Sequence, residues 1–139
     1  MSKAAIRHVD IAVDDIEASY KFYKSLLGLL GWSLEQTIKG ERSENLTYLS
    51  LPIGYENGAL GLRRRQSNKH AKPYDRYDLG LHHIAFNADS RKEVDKIAEW
   101  LRKYGYKIEA GPAEFYKKNY YAVFFYDPDG IKLEVVYGS

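Results

Sequence analysis

The sequence contains no cysteine. That excludes disulfide frameworks and thiolate metal sites, so any bound metal must be held by nitrogen and oxygen donors. It also lacks anything near the run of about 20 apolar residues that a membrane-spanning helix needs. No apolar signal region precedes the first strand-like segment, because Met1-Ser2-Lys3-Ala4-Ala5-Ile6-Arg7 runs straight into it. These absences lead to the expectation of a cytoplasmic protein with no membrane partner. A strong charge of one sign is missing as well. The net charge is +2 with both signs interspersed, which does not suit a nucleic-acid binder. Arg63-Arg64-Arg65, followed by Lys69, Lys72 and Arg76, is the local exception. It reads either as a solvated basic loop or as part of an anionic substrate pocket.

What is present suits one globular domain over residues 1–139, with 45% hydrophobic and 29% charged residues. Thirteen tyrosines fit a wet cleft, since each joins an apolar ring to a hydroxyl.

An internal repeat organises the chain. Arg7-His8-Val9-Asp10-Ile11-Ala12-Val13-Asp14 aligns with His82-His83-Ile84-Ala85-Phe86-Asn87-Ala88-Asp89. Each segment has strand alternation, ends at an aspartate and leads into an amphipathic helix. Ile16, Tyr20, Tyr23, Leu27 and Leu30 form the apolar stripe of the first helix. Val94, Ile97, Ala98 and Leu101 form that of the second, with Ser90 as N-cap and Glu93 as its capping-box partner. Gly31-Trp32 and Gly105-Tyr106 close them. Three strand-like runs follow each helix: about 32–39, 46–51 and 59–64, then about 106–110, 120–126 and 131–137. Asp127-Pro128-Asp129-Gly130 is a hairpin turn between the last two. Module one is thus expected over about 5–65, a polar linker over about 66–78 and module two over about 79–138. The fold class is α+β: two βαβββ modules whose strands make a cupped mixed sheet, with the helices on its outer face.

Strand parity then gathers candidate ligands. Val9, Ile11 and Val13 should meet a helix, which sends His8, Asp10 and Ala12 to the other face. Ile84 and Phe86 do likewise, which sends His83 inward and gives His82 a packing role on the helix side. Ile131, Leu133 and Val135 face the helices in the last strand, which leaves Glu134 inward. A carboxylate amid a terminal apolar strand is costly unless its charge is compensated. His8, His83 and Glu134 are therefore expected to hold one divalent metal. Asp10, two residues from His8, is read as a general base, proton shuttle, extra ligand or orienting acceptor. Arg64 is read as an anion contact in the cup, and Tyr48 with Tyr120 or Tyr121 as cavity-lining residues.

The motifs His8-Val-Asp-Ile-Ala-Val-Asp-Asp, Gly80-Leu-His-His83-Ile-Ala-Phe and Asp127-Pro-Asp-Gly-Ile-Lys-Leu-Glu134 resemble those of the glyoxalase/bleomycin resistance/dioxygenase superfamily, the vicinal oxygen chelate proteins. The resemblance covers essentially the whole chain. It implies paired βαβββ modules, a divalent metal such as Zn, Ni, Mn or Fe(II) and homodimers. It also implies a small-molecule substrate, anionic and chelating the metal through adjacent oxygens, turned over by a glyoxalase-like lyase, isomerase or transferase. The same family includes metal-free drug-binding proteins of the bleomycin-resistance type and extradiol dioxygenases. Relatives of the glyoxalase I kind carry a fourth ligand on the last strand of module one. Aligning Gly58 with Gly130 sets Leu62 opposite Glu134, and a slip of one residue gives Gly61 or Arg63. None is a carboxylate or an amide.

Overall fold

The structure is a computed structural model and describes residues 4–139. The chain divides into two compact units, one ending at Asn68 and the other beginning at Lys69. Among the described residues each unit has one α-helix and a four-stranded mixed sheet.

In the first unit β1 (His8–Val13) is followed by α1 (Ile16–Leu29), β2 (Leu34–Lys39), β3 (Asn45–Ser50) and β4 (Ala59–Arg64). The sheet order is β1-β4-β3-β2, with β1 parallel to β4 and the other pairs antiparallel. In the second unit β5 (Ile84–Asn87) is followed by α2 (Arg91–Lys103), β6 (Ile108–Glu114), β7 (Tyr121–Tyr126) and β8 (Lys132–Tyr137). Its order is β5-β8-β7-β6, again with only the first pair parallel. The repeat seen in the sequence is therefore a repeat of topology. In each unit the first strand adds beside the last, and the helix supplies the crossover that parallel pairing requires.

The helices begin and end where local chemistry dictates. Asp15 caps α1, its Oδ1 accepting from the amides of Glu17 and Ala18 at 3.1 Å. Ser90 caps α2 by accepting from the Glu93 amide at 3.1 Å. Glu93 reaches back to the amide of Asp89. Both helices close alike, with a left-handed glycine and a six-residue amide-to-carbonyl bond: Trp32 to Leu27 and Tyr106 to Leu101, each 2.9 Å. Gly31 and Gly105 have φ of 89° and 74°, a region that β-carbons disfavour.

Burial follows the expected periods. Val94, Ile97, Ala98 and Leu101 are all buried in α2, which packs on β6, β7 and β8. In α1 the buried face is Ser19, Phe22, Tyr23, Leu26 and Leu27, continued by the C-cap Leu30, so it is centred one residue away from the expected stripe. Tyr20 lies at its margin, its hydroxyl donating to Glu35 at 2.7 Å. Ile11, Val13, Leu60 and Leu62 are buried on one face of the first sheet, and Ile131, Leu133 and Val135 in the second unit.

Two details differ from the sequence expectation. β6 runs past Ala110 to Glu114, through Gly111 and Pro112, with register shifts against β7. It is an edge strand, where a proline's missing N–H and a bulge are tolerated. The expected linker is only partly a linker, because its second half docks on the second unit. The Tyr74 amide donates to the Asp129 carbonyl at 2.9 Å, Lys72 pairs with Asp129, and Arg76 donates to the Tyr126 hydroxyl at 2.8 Å. Among the described residues, no helix is long and apolar enough to cross a membrane.

Candidate functional site

The second unit brings His83 and Glu134 together. Glu134 lies mid-strand in β8, beside Ala85 of β5, which carries on from His83. Its residue exposure is 2%. One oxygen, Oε2, accepts the Tyr120 hydroxyl at 2.5 Å. The other, Oε1, lies 3.3 Å from His83 Nε2. Among the described residues, neither lysine nor arginine pairs with Glu134, and the nearby Lys132 is committed to Glu109 at 2.8 Å. Burial, followed by the bond to Glu134, pushes the Tyr120 hydroxyl up to about 12. It therefore stays protonated at neutral pH and remains a donor.

His83 lies just before β5, so strand parity does not govern its neighbour His82. Sequence parity placed His82 against the helix; instead it is exposed, with its Nδ1 2.8 Å from His83 Nδ1. The rings meet edge to face, and the Tyr77 ring meets that of His82 in the same way. One Nδ1 carries the proton that the other accepts, and the tautomers decide which. With that proton donated by His83, its Nε2 presents a lone pair toward Glu134, as a metal-ligating imidazole does.

The first unit makes a related arrangement around Asp10. Asp10 Oδ2 accepts from Tyr48 Oη at 2.9 Å and from Arg63 Nη2 at 2.6 Å. Asp10 Oδ1 is buried, has no hydrogen-bond partner and lies 4.0 Å from His8 Nε2. The His8 ring meets the Tyr48 ring edge to face, with centroids 5.3 Å apart. Burial, followed by the bond to Asp10, raises the Tyr48 pKa. The Asp10 bond also makes Arg63 harder to deprotonate.

Register corrects two expectations. β1 pairs with β4 so that Asp10 faces Gly61 and Ala12 faces Arg63, whereas Leu62 and Arg64 stand beside Ile11 and Val13. Arg64 is thus exposed on the opposite face from Asp10. The arginine that shares Asp10's face is Arg63, and taking parity from Leu62 selected the wrong neighbour. In the second unit Ala85 pairs with Glu134, and Ala85 is the repeat equivalent of Asp10. The module-one counterpart of Glu134 is accordingly Gly61, not Leu62.

Tyr120 is the tyrosine that reaches Glu134. Tyr121 instead donates to Asp95 of α2 at 2.6 Å. From the sequence His82 has only a packing role, and Gly61 and Arg63 stand only as one-residue slips from Leu62; the bond from Arg63 to Asp10 is not foreseen there. The glycine inside a strand was the readable signal, since such a residue marks close approach of another group. Among the described residues no group of three or more His, Asp or Glu side chains forms a ready metal site. Each unit supplies a pair, one imidazole nitrogen and one carboxylate oxygen.

Residues 5–135 match the model of the glyoxalase/bleomycin resistance protein/dioxygenase superfamily, and the chain belongs to that superfamily. It is 31% identical over 135 residues to the uncharacterized protein YqjT of Bacillus subtilis, covering 94% of this chain and 97% of that one. It is 26% identical over 140 residues to the metallothiol transferase FosB of Staphylococcus epidermidis, covering 100% of this chain and 85% of FosB. The solved glyoxylase/bleomycin resistance protein/dioxygenase domain from Frankia sp. EAN1pec shares the fold with a TM-score of 0.78 at 25% identity, covering 99% and 100% of the two chains.

Proposed function

We propose that the protein is a metal-dependent enzyme that binds one divalent ion through His8, His83 and Glu134. Its substrate is a small molecule that presents two adjacent oxygens to that ion. The observation that carries this reading is Glu134: a carboxylate 2% exposed, without a lysine or arginine partner among the described residues, whose free oxygen faces a histidine nitrogen at 3.3 Å. A buried carboxylate needs compensation by a cation or by hydrogen bonds, and one tyrosine hydroxyl satisfies only one of its oxygens. The donor set of imidazole and carboxylate suits Mn(II), Fe(II), Zn(II) or Ni(II).

A bound ion would supply Lewis acidity toward a chelating substrate. The protein's own groups do the holding. Tyr120 fixes the Glu134 carboxylate, and His82 fixes the His83 ring through Nδ1. The Tyr48 ring packs against the His8 ring. The name of FosB, a metallothiol transferase, is consistent with metal use in a relative. The choice among lyase, isomerase and transferase chemistry depends on the substrate. Arg64 supplies no anion contact beside Asp10, because it stands on the opposite face of the sheet.

The test is elemental analysis of untagged protein together with thermal unfolding before and after chelation. About one divalent ion per chain and a chelator-induced fall in melting temperature are expected, since an ion bound only by the folded state stabilises it. His83→Ala should lose the ion. Metal-free protein whose stability ignores both chelator and added metal would overturn the reading in favour of a metabolite-binding protein.

A further inference from the structure

Asp10 and Glu134 are held in the same way. Each gives one oxygen to a tyrosine hydroxyl, Tyr48 in one unit and Tyr120 in the other. Each turns the remaining oxygen toward a histidine Nε2, at 4.0 Å for Asp10 and 3.3 Å for Glu134. Two donor atoms each about 2.0–2.2 Å from one ion lie at most about 4.4 Å apart. Both spacings fall within that limit.

Three further observations concern Asp10. Its Oδ1 is buried and unpartnered, a costly state for a carboxylate oxygen. Its other oxygen carries two donors, one of them a guanidinium, which is how ligating carboxylates are oriented. The position equivalent to Glu134 is Gly61, where an added Cβ would lie 2.3 Å from Asp10 Oδ1. The Asp10 carboxylate therefore occupies the space where a side chain at 61 would begin.

We infer that Asp10 is a fourth protein ligand, offering Oδ1 beside His8 Nε2 in place of a carboxylate from position 61. The inference rests on the metal-binding reading above. It makes the donor set two imidazoles and two carboxylates, with Asp10 also held by the Arg63 guanidinium. Arg63 and Tyr48 restrict Asp10 to binding through one oxygen. Added oxygen ligation shifts preference toward harder ions such as Mn(II).

Cobalt(II) added to the metal-free full-length chain gives a readout independent of turnover, because its visible absorption reports coordination number and ligand type. The parent should bind one Co(II). Asp10→Asn should weaken Co(II) binding by at least about tenfold and change the intensity of the visible bands. Asp10→His, which keeps a donor, should recover most of the affinity with shifted bands. Circular dichroism establishes that each variant is folded. If Asp10→Asn is not, Asp10→His carries the test, and a spectrum identical to the parent's overturns the inference. Asp10→Asn with parental affinity and spectrum, alongside a His83→Ala variant that loses Co(II), removes Asp10 from the ligand set but leaves the metal site standing. A parent that takes up no Co(II) defeats both.

Discussion

Gly61 of β4 stands in register beside Asp10 of β1, and the missing side chain of one makes room for the carboxylate of the other. A Cβ at 61 would also come within 2.5 Å of the Tyr48 ring. Gly61 is therefore where β4 admits the Asp10–Tyr48–Arg63 cluster, and its φ is not what requires glycine.

Gly61→Ala should accordingly destabilise the protein by about 1–3 kcal/mol, the usual cost of forcing a methyl group into filled space. Urea unfolding measures it. An unchanged midpoint would mean that Asp10 and Tyr48 swing aside freely, and that the pocket around them is not rigid.

Tyr120→Phe removes the hydroxyl from Glu134 Oε2 and keeps the ring against Phe124 and Val136, with which Tyr120 packs. The carboxylate is then left short of a donor inside the protein. A loss of about 1–3 kcal/mol of stability is expected, with divalent-metal affinity reduced about 10–100-fold. Calorimetric titration with Mn(II) on the same preparation separates the two effects. Tyr121→Phe, which breaks only the bond to Asp95, should leave metal affinity at the parental value.

Acid stability should depend on Glu109. Burial pushes its pKa up, but hydrogen bonds from Lys132 and Tyr126, with the charges of Lys132 and Arg76, outweigh burial and bring it to about 2 from 4.5. A carboxylate with a depressed folded pKa adds stability above its ordinary value, and that contribution disappears as pH falls through the folded value. The window thus runs from 4.5 down to about 2. Glu109→Gln should be less stable than the parent at neutral pH and should show a shallower decline across that window. Urea midpoints collected at several acid pH values test this, and parallel declines for the two proteins would contradict it.

Much of this architecture could be read from the chain directly. The aligned His8 and His83 segments announced the topological repeat, the α2 stripe matched its buried face residue for residue, and alternation in β8 placed Ile131, Leu133 and Val135 in the core. Two positions escape alternation for different reasons. His82 precedes β5, so alternation could not orient it. Arg64 was placed by its kinship with Leu62, which lies on the opposite face from Asp10.

Residue type and periodicity determined the elements, because helix and strand spacing are properties of neighbouring residues along one chain. They also singled out His8, His83, Glu134 and Asp10 as the residues with chemistry to offer. Only tertiary structure decided which tyrosine serves Glu134, which arginine holds Asp10, and that Gly61 rather than Leu62 is the counterpart of Glu134. The last two choices depend on register between strands some 50 residues apart, where a shift of one position turns every side chain to the other face.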